Sequence, residues 1–400
     1  MISRLKKLVS SYAFVIVVYA VFAVGASVIS LVSGTKTFYE GGKEYKKYNN
    51  YTIFEKSYHH FIEGKDLYVL YPDEHWDLYK YSPTFSLCFG VFALLPDWAG
   101  LNLWNLLNAF ILVLAVYLLP KIPDNNKVLI LFLCAIELMT SMQSQQSNAL
   151  IAGLLILAFA LLEKDNYFMA AFFIVFSVYI KLFGLVAFAL YLFYPGKLKL
   201  AAYTAFWMVF LFLLPLVTID WQQYKVLLLS WQHLLSTDEA VSNGYSVMGW
   251  LRSWFGFQGS NSWVVLTGVI LFLVPLAKLS AYKNYRFRML ALCSVLLWIV
   301  IFNHKAESPT YIIAMTGVAI WFAGSEKNSL NLLLLICAFL LTSLSPTDLF
   351  PRYIRLEYIR PYALKALPCI VIWVKVIYDM LRLKTQNENN LRALNGNVNE

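Results

Sequence analysis

Charge is what this sequence has least of. Only 14% of its 400 residues are Asp, Glu, Lys or Arg, against 60% hydrophobic, whereas a soluble domain carries about a quarter charged and about half apolar. That scarcity excludes an ordinary soluble domain. Cysteine is also sparse: Cys88, Cys134, Cys293, Cys337 and Cys369 lie inside or at the edges of apolar runs, with neither a CxxC pair nor metal-ligand spacing. They read as packing residues rather than redox or zinc ligands. His59, His60 and His75 form no recognisable metal pattern either, so no metal and no cofactor are expected. The net charge of +9 comes without a continuous basic stripe or an RNA-binding signature, which removes nucleic acid as a partner. Strand-like alternation is missing too, and lipid tolerates no unpaired backbone, so the membrane-spanning segments must be helices.

What is present is a succession of apolar stretches of roughly 15 to 22 residues, and a helix needs about 20 to cross a ~30 Å hydrocarbon core. The first, "YAFVIVVYAVFAVGASVISLVS" behind the basic "MISRLKKLVS", is too long for a signal-peptide core and reads as an uncleaved span with its basic end in the cytoplasm. Two polar segments interrupt the series, 34–81 and 219–262. The tail 383–400, rich in Asn, Gln and charge, has little to bury and is expected to be a disordered cytoplasmic end.

Counting every apolar run gives thirteen crossings. The basic loops, marked by Lys121 and Lys127, Lys164, Lys197 and Lys199, Lys283 with Arg286 and Arg288, Lys327, and Arg382, fall on one side only if the run 83–96 begins and ends outside. That run is then a re-entrant or interfacial helix. The expected fold is an all-α polytopic membrane helix bundle of about twelve transmembrane helices over 1–382, in the cell (inner) membrane, with both termini cytoplasmic.

This register puts the unusual polar motifs on one outer face. In "IELMTSMQSQQSNAL", Gln143, Gln145, Gln146 and Asn148 crowd the end of a span, where amides either bind sugar hydroxyls or a phosphate or satisfy backbone groups at a helix break. Glu137 lies at span depth, where a carboxylate costs about 2.5–3.5 kcal/mol and faces a cavity or a partner. Lys181 in "VYIKLFGL" separates two short apolar runs; it is either a snorkelling lysine or a counter-charge for an anion such as a lipid phosphate. In "NHKAESPTYI", Ser308 and Pro309 make a helix start, Ser as N-cap and Pro at the first helical position. His304 and Lys305 beside it strengthen an anion-attracting field, which points to a phosphate-binding corner. In the first polar segment, Ile53, Phe54, Ser57, Tyr58 and Phe61 recur at helical spacing and predict an amphipathic helix lying on the membrane, its aromatic face an interfacial belt in preference to a sugar platform.

The order of "NNYTIF", "EGKDLY", "KYSPTF", "QSN" at 146–148, Lys181, "SNGYSVMGW" and "NHKAESP" resembles glycosyltransferase family 87, integral membrane transferases of the C-type fold that use polyprenyl-phosphate sugars. The similarity spans about residues 10 to 375, and the order of the motifs carries it. It implies transfer of a sugar, mannose being one precedent in the family, from a polyprenyl-phosphate donor to a lipid-linked or glycan acceptor on the outer face, without a nucleotide or metal. Substrate-binding roles follow from it for Asn50, Asp66, Lys80 and Tyr81 in the first segment, Gln146 and Asn148 in the amide motif, and Asn243 and Ser246 in the later one. His304, Lys305 and Lys181 would meet the donor phosphate. In one respect the chain departs from the family: Asn49–Asn50 stands where an aspartate is common, and an amide cannot act as a carboxylate base.

The chemistry needs a carboxylate to take the acceptor's hydroxyl proton and cations to stabilise the departing phosphate; a single displacement would invert the sugar. Among the acids of the first segment Asp77 is favoured as base, one helical turn before Tyr81 and beside Lys80, with Glu307 as the alternative. Two other classes stay open: a polytopic transporter or lipid flippase, against which the absence of convincing internal repeats counts, and a catalytically lapsed lipid-binding scaffold.

Overall fold

The computed structural model describes residues 11–38, 42–237 and 244–383. It is helical almost throughout, apart from a two-stranded antiparallel ribbon of β1 (Thr35–Thr37) and β2 (Glu44–Lys46). Residues 384–400 of the expected tail and Asn243 lie outside the described residues. The chain divides into two compact units: Met1–Leu185 with Leu198–Ser242, and Val186–Lys197 with Asn243–Glu400.

The first unit holds α1 (Tyr12–Val32), α2 (Asn49–Ile62), α3 (Pro83–Ala93), α4 (Asp97–Leu118), α5 (Asp124–Gln143), α6 (Asn148–Leu162), α7 (Tyr167–Ile180), α8 (Lys197–Leu213) and α9 (Trp221–Thr237). Helix α6 is apolar on every face after its first residue and is buried on every face, as such a helix must be to lose its surface to neighbours. It packs between α4 and α7, and α1 packs on α4 and α5. Helices α1, α4 and α5, and α8 with its continuation to Val217, are long and apolar enough to cross a membrane. Helix α3 has 11 residues, which at 1.5 Å each rise about 16 Å, well short of a bilayer core.

Two readings of the polar segments need correction. Helix α2 forms where expected, but its aromatic face is no interfacial belt. Phe54 packs on Phe85, Phe89 and Trp104 with ring centroids 5.5, 5.3 and 5.9 Å away, and Ile53, Ser57 and Phe61 are buried with it. Helical spacing of apolar residues specifies a face that leaves water; protein and lipid satisfy it equally, and here α3 and α4 supply the cover. The segment 219–262 is also more than a loop. Tyr224, Leu227, Trp231 and Leu234 recur every three or four residues and make α9, whose Tyr224 and Leu227 are buried.

Helix α7 ends in a sharp break. Lys181 is extended (φ −142°, ψ 138°), and Leu182–Phe193 continues as a 3₁₀ helix rather than α. Gly184 lies against the end of α7, where a Cβ would sit 2.2 Å from Ser177 Oγ and 2.8 Å from the backbone N of Val178. Only glycine lets the chain turn back this closely, and the break keeps Lys181 out of the helical ladder.

The second unit holds α10 (Val247–Phe255), α11 (Asn261–Leu273), α12 (Tyr285–Ile301), α13 (Tyr311–Gly324), α14 (Ser329–Cys337) and α15 (Leu367–Arg382). Helices α12 and α13 pack along each other, buried over nearly their whole length, and Trp373 of α15 closes on them by donating to Ser294 Oγ at 2.9 Å. The chain widens into π-helical turns at Ala338–Leu344 and Arg355–Ile359. Cys134, Cys293 and Cys369 are buried, and all five cysteines are free thiols.

Candidate active site

In the first unit the amide motif, Lys181 and Tyr81 come together. Gln145 takes a left-handed backbone (φ 50°) that ends α5 and turns the chain toward α6. Its own side chain is spent on structure, donating to Ser30 Oγ at 3.1 Å, while its carbonyl accepts from Trp104 Nε1 at 2.9 Å. The next residues face a different way. Asn148, fully buried at the start of α6, donates to Gln146 Oε1 at 2.6 Å and accepts from Lys181 Nζ at 2.9 Å. The Lys181 ammonium also lies 5.5 Å from the ring centroids of both Tyr81 and Phe183, an aromatic setting that favours a cation.

Tyr81 is held from several sides. Its ring meets Phe54 edge-on at 4.9 Å and stacks on Phe85 at 5.0 Å, and its carbonyl accepts from Tyr68 OH at 2.9 Å. Tyr68 in turn stacks on Trp231 of α9, whose indole donates to Lys80 O at 3.4 Å. Asp66 belongs to the same clamp: one oxygen accepts from Tyr68 N at 3.0 Å and the other from Ser230 Oγ at 2.6 Å. Its carboxylate is thus committed to closing a turn and fixing α9.

Asn49 is equally committed, clasping Trp76 through both its amide groups, 2.6 Å to the carbonyl and 2.8 Å from the N–H. Asn50 instead donates to Ser144 O at 2.8 Å and borders a cavity of about 540 Å³ that Lys36, Lys47, Ser33 and Gln143 also line. The 143–148 turn therefore meets Asn50 at one end and Lys181 at the other.

Asp77 does not sit on a helix. Residues 77–82 are irregular, Ser82 caps α3, and Asp77 itself has a left-handed backbone (φ 78°). The expected helical turn from Asp77 to Tyr81 is absent because Pro83 fixes the helix start beyond both residues. The exposed Asp77 carboxylate accepts from Leu78 N at 2.7 Å and lies 3.4 Å from Lys80 Nζ. His75 Nδ1 is 3.0 Å from Asp77 O; a carbonyl only accepts, so this nitrogen carries the proton, and burial holds the imidazole below its ordinary value of 6.5. Glu74 faces His60 at 2.9 Å, and Asp73, almost fully exposed, pairs with Lys43.

In the second unit the two later motifs meet. Tyr245 N donates to Ala306 O at 3.0 Å, and Tyr245 O accepts from Tyr311 OH at 2.7 Å, so the 303–307 loop is docked on the segment that opens α10. Ser246 Oγ caps α10 by accepting from Gly249 N at 3.2 Å. His304 and Lys305 are half-buried and Glu307 is exposed. The expected helix start is shifted: Ser308–Thr310 is a single 3₁₀ turn, Glu307 holds the cap position without a side-chain cap bond, and α13 follows at Tyr311. The turn thus begins one residue earlier than expected, with Ser308 first and Pro309 second.

Three cations here escaped the sequence reading. Arg252 and Arg360 share a cavity, and Lys365 is fully buried, its ammonium 5.1 Å from the Tyr311 ring centroid. Lys365 in "YALKALP" is, like Lys181, a lone lysine in an apolar setting, but it stands near the start of one apolar run rather than between two. Glu137 on α5 is fully buried within the helix packing.

Helices long and apolar enough to cross a membrane, with a buried polar turn that holds a lysine beside an aromatic ring in the first unit, fit a membrane protein. The chain belongs to glycosyltransferase family 87, whose model matches residues 79–302, more than half of the sequence. It is a membrane glycosyltransferase. The match takes in Tyr81, Gln146, Asn148, Lys181 and Ser246 and stops short of Asn50, Asp66 and Asp77 on one side and of His304 on the other. No curated protein matches the chain.

Proposed function

We propose that this glycosyltransferase moves a sugar, with mannose the family precedent, from a polyprenyl-phosphate donor to a lipid-linked or glycan acceptor on the outer face of the membrane. The observation that carries the reading is the Lys181–Asn148–Gln146 chain beside Tyr81: a cation fixed by a buried amide under an aromatic ring. Amides and an aromatic face orient sugar hydroxyls, and the cation offsets phosphate charge. In the reaction the acceptor oxygen attacks the anomeric carbon while the bond to the phosphate oxygen breaks. The acceptor's proton passes to a carboxylate, assigned to Asp77 with Glu307 as the alternative, and the displacement inverts the centre. Lys181 in the first unit and His304 with Lys305 in the second are each assigned to the donor phosphate; Lys305→Gln, like the Lys181 variants, should weaken donor binding while the fold stays intact, and unchanged donor affinity would remove the assignment.

Purified protein given a panel of polyprenyl-phosphate sugars and a cell lipid extract is expected to transfer one of them, with chelators leaving the rate unchanged. Transfer from a nucleotide sugar instead, or loss of activity in chelator, would overturn this reading.

The topology proposed with it has about twelve crossings, with 83–96 re-entrant. Its support is the shortness of α3 and the alternation of basic loops. Single cysteines at Lys80 and at the exposed Trp98 in a cysteine-free background should label from the same, outer side; labelling from opposite sides would reject it.

A further inference from the structure

Within the second unit a cavity of about 510 Å³ is lined by Arg252, Arg360, Tyr245 and Ser253, with Gly244 and Gly249 also on its wall. None of the lining residues is acidic. Two guanidinium groups facing one cavity repel each other, and an arrangement of this kind is stable when an anion can be shared between them. Arginine is the side chain suited to that task, since its planar fork matches the oxygens of a phosphate two at a time.

The two arginines are built into place. Arg252 sits in the last turn of α10, where Nη2 donates to Asn261 Oδ1 at 3.1 Å. Its Nε is buried with no hydrogen-bond partner, a donor whose burial is unfavourable until something accepts from it. Arg360 comes directly after the π-helical turn Arg355–Ile359 and closes it through its own N–H, 3.1 Å from Arg355 O. Its guanidinium lies close enough to the Tyr245 phenol to act on it: burial raises the phenol's pKa, and the Arg360 charge offsets part of that rise. Trp254 Nε1 donates to Tyr362 O at 2.8 Å and ties α10 to the Arg360 segment. Ala363, on the cavity wall, takes a left-handed backbone (φ 48°), a conformation that costs a residue with a Cβ and persists where the surroundings enforce it. π-turns, too, recur at functional sites. Gly244 brings the 303–307 loop against the same wall: a Cβ there would lie 2.4 Å from Ala306 O and 3.1 Å from His304 O.

We propose that Arg252 and Arg360 form a phosphate-binding cavity that grips a phosphate group between two guanidinium forks, with the Tyr245 hydroxyl as a further contact. The proposal rests on the polyprenyl-phosphate donor only for the lipid attached to that phosphate.

The test uses the full chain in lipid nanodiscs and three probes: a fluorescent short-chain polyprenyl phosphate, the same polyprenol without phosphate, and inorganic phosphate as competitor. Wild-type protein should bind the phosphate and discriminate against the alcohol. Arg360→Gln and Arg252→Gln should each weaken phosphate binding at least tenfold and erase that discrimination, with Arg360→Lys recovering part of it, while helical content and elution volume stay unchanged. Competition by millimolar inorganic phosphate in wild type and not in the variants would mark the phosphate group alone as what is read; its failure to compete would mark the lipid-linked ester as the ligand. Should Arg252→Gln disturb the Asn261 contact and fail to fold, the exposed Arg360 decides. Unchanged phosphate binding in Arg360→Gln would overturn the proposal even if sugar transfer from the polyprenyl phosphate is robust. Arginine-dependent phosphate binding in a protein that transfers no lipid-linked sugar would leave the cavity standing and remove the proposed donor.

Discussion

Asp77→Asn is expected to lower sugar transfer by about 10²–10⁴-fold, the usual contribution of a positioned base, while donor binding and protein yield stay near wild type. The substitution isolates the proton acceptor because everything else at the position survives it. Asparagine tolerates a left-handed backbone as aspartate does, and its oxygen can keep the bond from Leu78 N that Asp77 makes at 2.7 Å. What disappears is the charge that Lys80 faces at 3.4 Å and the ability to take a proton. Asp73→Asn, at a nearly fully exposed carboxylate paired with Lys43, is the matched control and should transfer normally. Asp66→Asn should act on stability instead, since both Asp66 oxygens already hold Tyr68 and Ser230. Near-normal turnover by Asp77→Asn would reject it as base, and Glu307→Gln would then be the variant expected to abolish the reaction.

The second large effect is expected at Lys181. Lys181→Ala removes both the charge and the 2.9 Å bond to Asn148; Lys181→Gln keeps a donor for Asn148 Oδ1 and removes only the charge. A charge-assisted hydrogen bond contributes about 1.5–3 kcal/mol, so loss of the cation should weaken binding of a polyprenyl-phosphate sugar by about 10- to 100-fold. Both variants should show this, with the turn at 143–148 intact in the glutamine variant. If Lys181→Gln binds the donor normally and only Lys181→Ala is impaired, the lysine serves to satisfy Asn148 and the phosphate assignment falls.

Much of the helical plan was legible. Apolar run lengths and Lys181 between two short stretches translate directly into helices and their ends, because helix formation reads neighbours three and four residues apart; the proline after Ser82 carried the same kind of signal, against the helical turn expected from Asp77 to Tyr81. The grouping of "QSN", Lys181 and Tyr81 was visible only through resemblance to a family. Nothing in their spacing says that residues 81, 148 and 181 touch. The Ser308 cap was misplaced by one position, since a proline fits the first or the second position of a helical turn and the neighbouring residues alone do not choose between them. Lys365 stands near the start of a single apolar run, where a lysine reads as snorkelling, so its full burial was not legible.

Hydropathy, the placement of proline and glycine, and short-range order were enough to establish a helical membrane protein, to place most of its helix ends, and to mark its family by polar motifs. Packing in three dimensions was needed to show that the aromatic face of α2 meets Phe85, Phe89 and Trp104 rather than lipid, that Asn49 clasps Trp76, and that the chain forms two compact units. It was needed as well to bring Arg252 and Arg360, distant in the chain, to one cavity. An apolar face is defined by what it avoids and a lone arginine by its charge, so neither carries the address of its partner; packing supplies it.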